Sequence, residues 1–276
     1  MRASRTDKRV SAIMNVVSCK LHKYEDRSFE DIKKMLNNDL PSDVKVFKIL
    51  EVSGGFDSKD SNNFREYHYI LPTFCLQPTL LEDKARLTPE VNNAENYRGE
   101  YKYKITPELM EKVKLICAGF KGTKNYHNYT RKMAFSDSKS KRHIYEISVE
   151  ELIEYENFEA IKFKIIGQSF LYNQIRKIIG MIIDLCRCSK DMAYFENSFL
   201  SNKCDVPKAP AEGLYLHRVI FGFSLFFYFV FIKKILRFTL KDMVLKNEIY
   251  LFKKSSFYFI YLFLFRLIIL NIIRER

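Results

Sequence analysis

The sequence has no CxxC pair. Its six cysteines, Cys19, Cys75, Cys117, Cys186, Cys188 and Cys204, form no Cys/His ligand spacing. A zinc site is therefore not expected. Reduced, buried or incidental thiols in an intracellular compartment are expected instead. The opening stretch MRASRTDKRVSA has no apolar core, which excludes a secretory signal of the usual kind there. There is no internal repeat, so a solenoid is not expected. Uninterrupted apolar runs fall short of the ~20 residues that a spanning helix needs. VIFGFSLFFYFVFI (219–232) is too short, and FYFIYLFLFRLIILNII (257–273) is broken by Arg266. Acidic residues are also in deficit: 33 Asp and Glu face 46 Lys and Arg, for a net charge of +13. That sign favours a polyanionic partner, nucleic acid before an anionic membrane surface. Ten Lys and Arg against three Asp and Glu lie after Arg218, however, so about half of the excess belongs to the last 58 residues.

What is present is a chain of 276 residues, 47% apolar and 29% charged, long enough for a sizeable core. Up to Arg218 it reads as an ordinary mixed sequence. AIMNVVSCKL (12–21) predicts a buried strand. SFEDIKKMLNNDLP (28–41) predicts a helix capped by Ser28, with Glu30 and Asp31 in its first turn. DVKVFKILEV (43–52) and FREYHYILPTF (64–74) alternate as half-buried strands do. TPELMEKVKLICAGF (106–120) predicts a helix with Thr106 as cap and Pro107 at its first position. HIYEISVEELIEYENFEAIKFKIIG (143–167) predicts two strands joined by an acidic turn, and FLYNQIRKIIGMIIDLC (170–186) a helix. Alternating strands and helices make the body α/β or α+β. From Val219 the chain turns into Phe-rich apolar runs split by Lys pairs. Three readings of 219–276 stand side by side: membrane-associated segments with basic flanks, core elements of the body, or low-complexity sequence that is no structural element. The third is preferred, because neither helical nor strand periodicity persists.

One carboxylate, Asp7, sits in RTDKRVSA (5–12) between cationic neighbours. A nearby cation holds a carboxylate ionised, and an ionised, positioned carboxylate acts as nucleophile or base. The stretch resembles the GRTDKGVSA signature of the TruA-type tRNA pseudouridine synthases, closest to their eukaryotic branch. Further stretches resemble that family in order: LNNDLPSDVKV (36–46), FDSKDSNNFREYHYILPT (56–73) with its Arg-x-Tyr-x-Tyr pattern, GTKNYHNYT (122–130), QSFLYNQIRKIIGMI (168–182) and PKAPAEGLYL (207–216). The resemblance covers residues 3–218.

It implies an α+β fold of two halves, each on an antiparallel sheet, with a catalytic cleft between them. The implied divisions are 1–105 for a first catalytic half, 106–218 for a second half and 219–276 for the tail. It implies isomerisation of a uridine in RNA from an N-glycosidic to a C-glycosidic linkage, with no cofactor and no metal. The implied partner is tRNA, with other RNAs as the alternative, and the implied compartment is nucleus or cytoplasm. Asp7 is the implied catalytic group, either adding to the base or assisting at the ribose. Tyr67 would stack on the target base, and Arg176 would pair with the aspartate. Arg5 would contact phosphate or help to flip the base, His127 and Asn128 would line the cleft, and Leu214 would form an apolar wall. Three departures stand out. Ser4 and Arg9 replace glycines of the pattern, and glycine there serves tight backbone geometry. Asn173 replaces a histidine common in the eukaryotic branch. The family also places a strand–helix–strand segment ahead of the motif, where this sequence has four residues before Arg5. A first half incomplete in this sequence, with an exposed sheet edge, is therefore expected. Two other functional outcomes accompany the enzyme: an inactive RNA-binding remnant, and a derivative associated with membranes through its tail.

Overall fold

A computed structural model describes residues 1–20, 27–78, 103–187 and 190–222. The chain divides into two compact units, Met1–Gly222 and Phe223–Arg276. The second unit lies outside the described residues, and the readings of the tail fall there, as Cys188 falls in the gap at 188–189. Among the described residues no helix is long and apolar enough to cross a membrane.

The first unit is built on one mixed sheet. Its strands are β1 (Ser11–Ala12), β2 (Asn62–Pro72), β3 (Gly122–Asn125), β4 (Lys141–Glu154), β5 (Glu159–Gly167) and β6 (Leu214–Phe221), in the order β1-β6-β2-β5-β4-β3. β1 runs parallel to β6, and every other neighbouring pair is antiparallel. The α+β class is thus as expected. β1 and β2 precede residue 105 and the other four strands follow it, so the two expected halves share a sheet. β6 carries Val219 to Phe221, so the body extends past Arg218 to Gly222.

The helices form where the caps direct. α1 (Phe29–Asp39) starts on Ser28, whose hydroxyl accepts from the Asp31 N–H while Asp31 returns a bond to Ser28. α2 (Pro107–Phe120) starts on Thr106, whose side chain accepts from the Leu109 N–H. α3 (Gln174–Cys186) starts four residues later than its apolar pattern does, because Asn173 takes a left-handed conformation at φ 60° and breaks the run. α4 (Met192–Asn197) is capped by Asp191. α2 packs on β4 and on α3. Leu109, Val113, Ile116 and Phe120 of α2, and Ile175, Ile178, Ile179, Ile182 and Leu185 of α3, are buried with Tyr67, Tyr69, Ile147, Ile161, Phe163 and Ile165 of the sheet. Beside them Phe120, Tyr126, Tyr129, Phe195 and Phe199 form an aromatic cluster, mostly edge to face. Burial pushes the Cys75 thiol up to about 11 and the Cys117 thiol up to about 12, so both stay protonated at neutral pH.

Two expected strands are not strands. Of residues 12–20, Ala12 alone belongs to β1 and Val17 makes an isolated bridge with Arg2, while residue 21 lies outside the described residues. Residues 43–52 take no regular secondary structure and have no partner strand among the described residues. A strand needs a neighbour for its amides and carbonyls, and among the described residues none pairs with 43–52. Ile13, Met14, Val17, Val44, Phe47, Leu50 and Val52 are consequently exposed. α1 likewise buries none of its residues.

One helix contact positions the site from behind. A Cβ at Gly180 of α3 would meet the Pro207 carbonyl oxygen at 2.2 Å and its carbon at 2.8 Å. The segment 207–209 thus lies directly on the helix backbone, and it leads into Leu214 of β6. Gly180→Ala is expected to destabilise the protein by about 1–3 kcal/mol through overpacking, although alanine is the better helix former by about 1 kcal/mol. Chemical denaturation of the two proteins checks the sign.

Candidate active site

The motif residues occupy the end of the sheet where β2 and β6 meet the N-terminal segment and the start of α3. A cavity of about 360 Å³ opens there, lined among others by Ser4, Arg5, Asp7, Arg65, Tyr67, Gln174 and Leu214. Another cavity, of about 410 Å³, lies between α2 and α4 against Leu115, Gly119, Phe195 and Phe199. It holds no motif residue and carries no part of the chemistry considered below.

Side-chain hydrogen bonds set the shape of the first cavity. Arg65 of β2 donates from Nε and Nη2 to the Ala3 carbonyl at 3.0 and 2.8 Å, and from Nη1 to the Gln168 carbonyl at 2.6 Å. It thereby joins the loop before Asp7 to the turn before α3. Two residues along β2, the Tyr67 hydroxyl shares a bond of 2.6 Å with Ser4 Oγ. Tyr67 is 6% exposed, and its ring meets Phe170 edge to face at 5.3 Å. Burial raises the Tyr67 phenol, the Ser4 bond and the Arg65 charge oppose the rise, and the Asp7 carboxylate adds to it. The phenol therefore stays neutral, as a group that packs rather than titrates.

Asp7 is half-buried at the cavity edge. Its carbonyl accepts from the Val10 N–H at 3.0 Å, closing a turn with Arg9 at φ 68°. Positive φ at the third position of such a turn is glycine's conformation, which accounts physically for the glycine that Arg9 replaces. Ser4, in place of the other glycine, has no such conformation; its hydroxyl instead holds Tyr67.

The structure brings Asp7, Tyr67, Arg5 and Leu214 together at one cavity. Arg5 is exposed at its rim, and Leu214 is 6% exposed in its wall. Arg176 is placed otherwise. Its Nε donates to the Ala209 carbonyl at 2.8 Å and its Nη1 to Asn173 Oδ1 at 3.4 Å, and among the described residues no ion pair joins it to Asp7. The Ala209 N–H in turn donates to the Arg176 carbonyl at 3.0 Å, beside the place where Pro207 lies against Gly180. His127 and Asn128 do not line the cavity. Asn128 donates to the Ser198 and Asn202 carbonyls and accepts from the Cys204 N–H, tying the 198–204 segment to its loop. His127 is buried against Asn125 and Phe135, with Nε2 unpartnered among the described residues. Both side chains are tied into the loops around them. Sequence reasoning missed Ser4, Arg65 and Gln174; the Arg-x-Tyr-x-Tyr pattern held the signal for Arg65.

Behind Tyr67, on the opposite face of β2, lies a charged cluster. Glu66 accepts from Arg218 Nε at 2.7 Å and bonds His68 Nε2 at 2.9 Å, and the His68 and His217 rings stack at 4.2 Å. Ligand atoms of Glu66, His68 and His217 lie within 4.8 Å of one another. The rings are nearly parallel, 9° apart, so their lone pairs do not converge, and Arg218 already neutralises Glu66. The group is better read as a buried ion-pair network than as a metal centre. Burial would raise the Glu66 carboxyl, but bonds from His68 and Arg218 outweigh it and hold the group below its ordinary 4.5.

Sheet, helices and cavity together define an α+β protein whose carboxylate-bearing loop is fastened over a buried strand tyrosine. Residues 116–222 match the family model described as tRNA pseudouridine synthase. The mouse and human proteins named Pseudouridylate synthase 1 homolog are each 36% identical to the chain over 220 residues, covering 80% of this chain and 47% of theirs. The tRNA pseudouridine synthase 1 of Saccharomyces cerevisiae is 28% identical over 284 residues, covering 80% of this chain and 52% of its own. Over residues 116–222 the chain is thus similar to the tRNA pseudouridine synthase family, and it spans about half the length of the relatives it matches.

Two predictions follow from these groups. Arg9→Gly relieves the left-handed turn beside Asp7 and is expected to stabilise the protein by about 1 kcal/mol, read from thermal unfolding; the exposed Arg9–Glu212 pair that it removes contributes little. Because the folded Glu66 carboxyl is depressed, its stabilisation is full above the ordinary value and is lost as pH falls through the folded one. Glu66→Gln is therefore expected to cost about 1–2 kcal/mol at neutral pH, since the Arg218 left behind is half exposed to water, with the gap to wild type narrowing in acid, as urea midpoints across that range will show.

Proposed function

We propose that this chain isomerises a uridine of tRNA to pseudouridine, with Asp7 as the catalytic carboxylate. The observation that carries the reading is the convergence of Asp7, Tyr67 and Leu214 on one cavity large enough for a nucleotide. The similarity to the family, and the tRNA named for the relatives, support the substrate. The target uridine must leave its stack for C1′ and C5 to be reached. Tyr67 and Leu214 supply an aromatic and an apolar surface for the base, and Arg5 at the rim faces where the RNA backbone would pass. Asp7 acts as the bond from C1′ to N1 breaks. The base turns, C1′ bonds to C5, the C5 proton leaves, and N1 ends protonated. A closed pocket keeps the freed uracil from escaping before it rejoins. In this reading Arg176 reaches Asp7 only after leaving the Ala209 carbonyl. The place of action proposed with this reading is nucleus or cytoplasm.

Incubation of the full chain with tRNA tritiated at C5 of uridine is expected to release tritium, and Asp7→Ala to lower the rate by about a thousand-fold with tRNA binding retained. A folded wild type that binds tRNA and releases no tritium would make the chain an RNA-binding remnant.

A further inference from the structure

The roles above leave one polar group of the cavity unused. Gln174, the first residue of α3, lines the cavity and is 1% exposed. Its Oε1 accepts from the Leu171 N–H at 2.8 Å, while its Nε2 is buried without a partner among the described residues. A buried donor left unmade is costly, and a ligand acceptor would relieve that cost. The amide cannot simply turn over, because the Leu171 N–H requires its oxygen. The unpartnered side therefore offers donors only. The start of α3 adds to this polarity. No side chain caps it: Asn173 is left-handed, and its amide oxygen accepts from Arg176 instead of from a helix N–H. The positive end of the helix thus stands beside the same donor, and Asn173 and Ile175 line the cavity with Gln174.

We propose that Gln174 Nε2 reads a carbonyl oxygen of the everted uracil, an inference that rests on the cavity being the uridine site. The ring carbonyls O2 and O4 are neutral acceptors of a size that suits a dry pocket. A donor fixed against O4 would also reject cytosine, whose amino group at that place has no acceptor to offer. Gln174 is then a specificity-determining residue, distinct from the carboxylate that does the chemistry.

The test uses the full chain and tRNAs carrying C5-tritiated uridine, 2-thiouridine or 4-thiouridine at the target, sulfur being the poorer acceptor. Wild type is expected to process uridine faster than the thio analogue altered at the carbonyl that Gln174 contacts, so the two analogues distinguish O2 from O4. Gln174→Glu keeps an acceptor for Leu171 and loses the donor. It is expected to lower kcat/KM for uridine by about 10- to 100-fold at neutral pH and to abolish the preference over that analogue. Part of the rate returns as pH falls, because a protonated carboxyl donates again. Gln174→Met, which has no donor at any pH, shows no such return. A variant slowed equally on every substrate at every pH would assign Gln174 to structure alone and overturn the proposal. Variants that match wild type would overturn it as well, leaving the activity standing. A folded wild type without tritium release would overturn the activity and this subsite together.

Discussion

A single guanidinium fastens the candidate site to the sheet. Arg65 holds the Ala3 carbonyl with two N–H groups and the Gln168 carbonyl with a third, so the loop that presents Asp7 and the turn that starts α3 meet on one side chain of β2. Arginine suits the task because its planar fork donates in several directions at once and keeps its charge when half desolvated. Burial lowers its affinity for the proton, and the neighbouring Tyr67 and Asp60 oppose that effect. The residues next along the strand are committed too. Tyr67 reaches back to Ser4 on one face, while Glu66 and His68 turn to the other and close an ion-pair network with Arg218. β2 thus organises the cavity on one side and a charged layer on the other through the simple alternation of its side chains.

The charged layer extends over β4 and β5. Lys162 lies 3.1 Å from Glu150 and Lys164 lies 3.2 Å from Glu146, each pair bridging neighbouring strands. The apolar residues that alternate with them, Ile161, Phe163 and Ile165, are fully buried under the helices. The sheet therefore has a dry face that carries the core and a polar face on which lysines and glutamates balance one another. Lys162, Lys164 and Arg218 are neutralised locally in this way.

Local grammar made the helices legible. Ser28 and Thr106 cap as their sequences indicate, because a cap needs only its own next three residues. Strands 12–21 and 43–52 were not legible, since pairing is a relation between two segments and periodicity describes only one. Within the site, Asp7, Tyr67 and Leu214 were legible through their motifs, and the fold brings them to one cavity. The neighbours of Arg176, His127 and Asn128 were not. The direction a side chain takes there depends on contacts across the fold, such as those of Arg176 with Ala209 and of Asn128 with the 198–204 segment. The Glu66–His68–Arg218 network needed the register of β2 against β6, which no spacing in the sequence encodes.

The parallel pairing of β1 with β6 has a consequence for how the molecule is made. Ser11 lies beside Tyr215 and Ala12 beside Leu216, so the first strand of the sheet has its partner at the far end of the body. During synthesis Ser11 and Ala12 emerge before β6 and lack that strand partner until almost the whole body has left the ribosome. Contacts so distant in sequence are slow to form. The cavity joins residues from both ends of the body, so it is completed among the last events of folding.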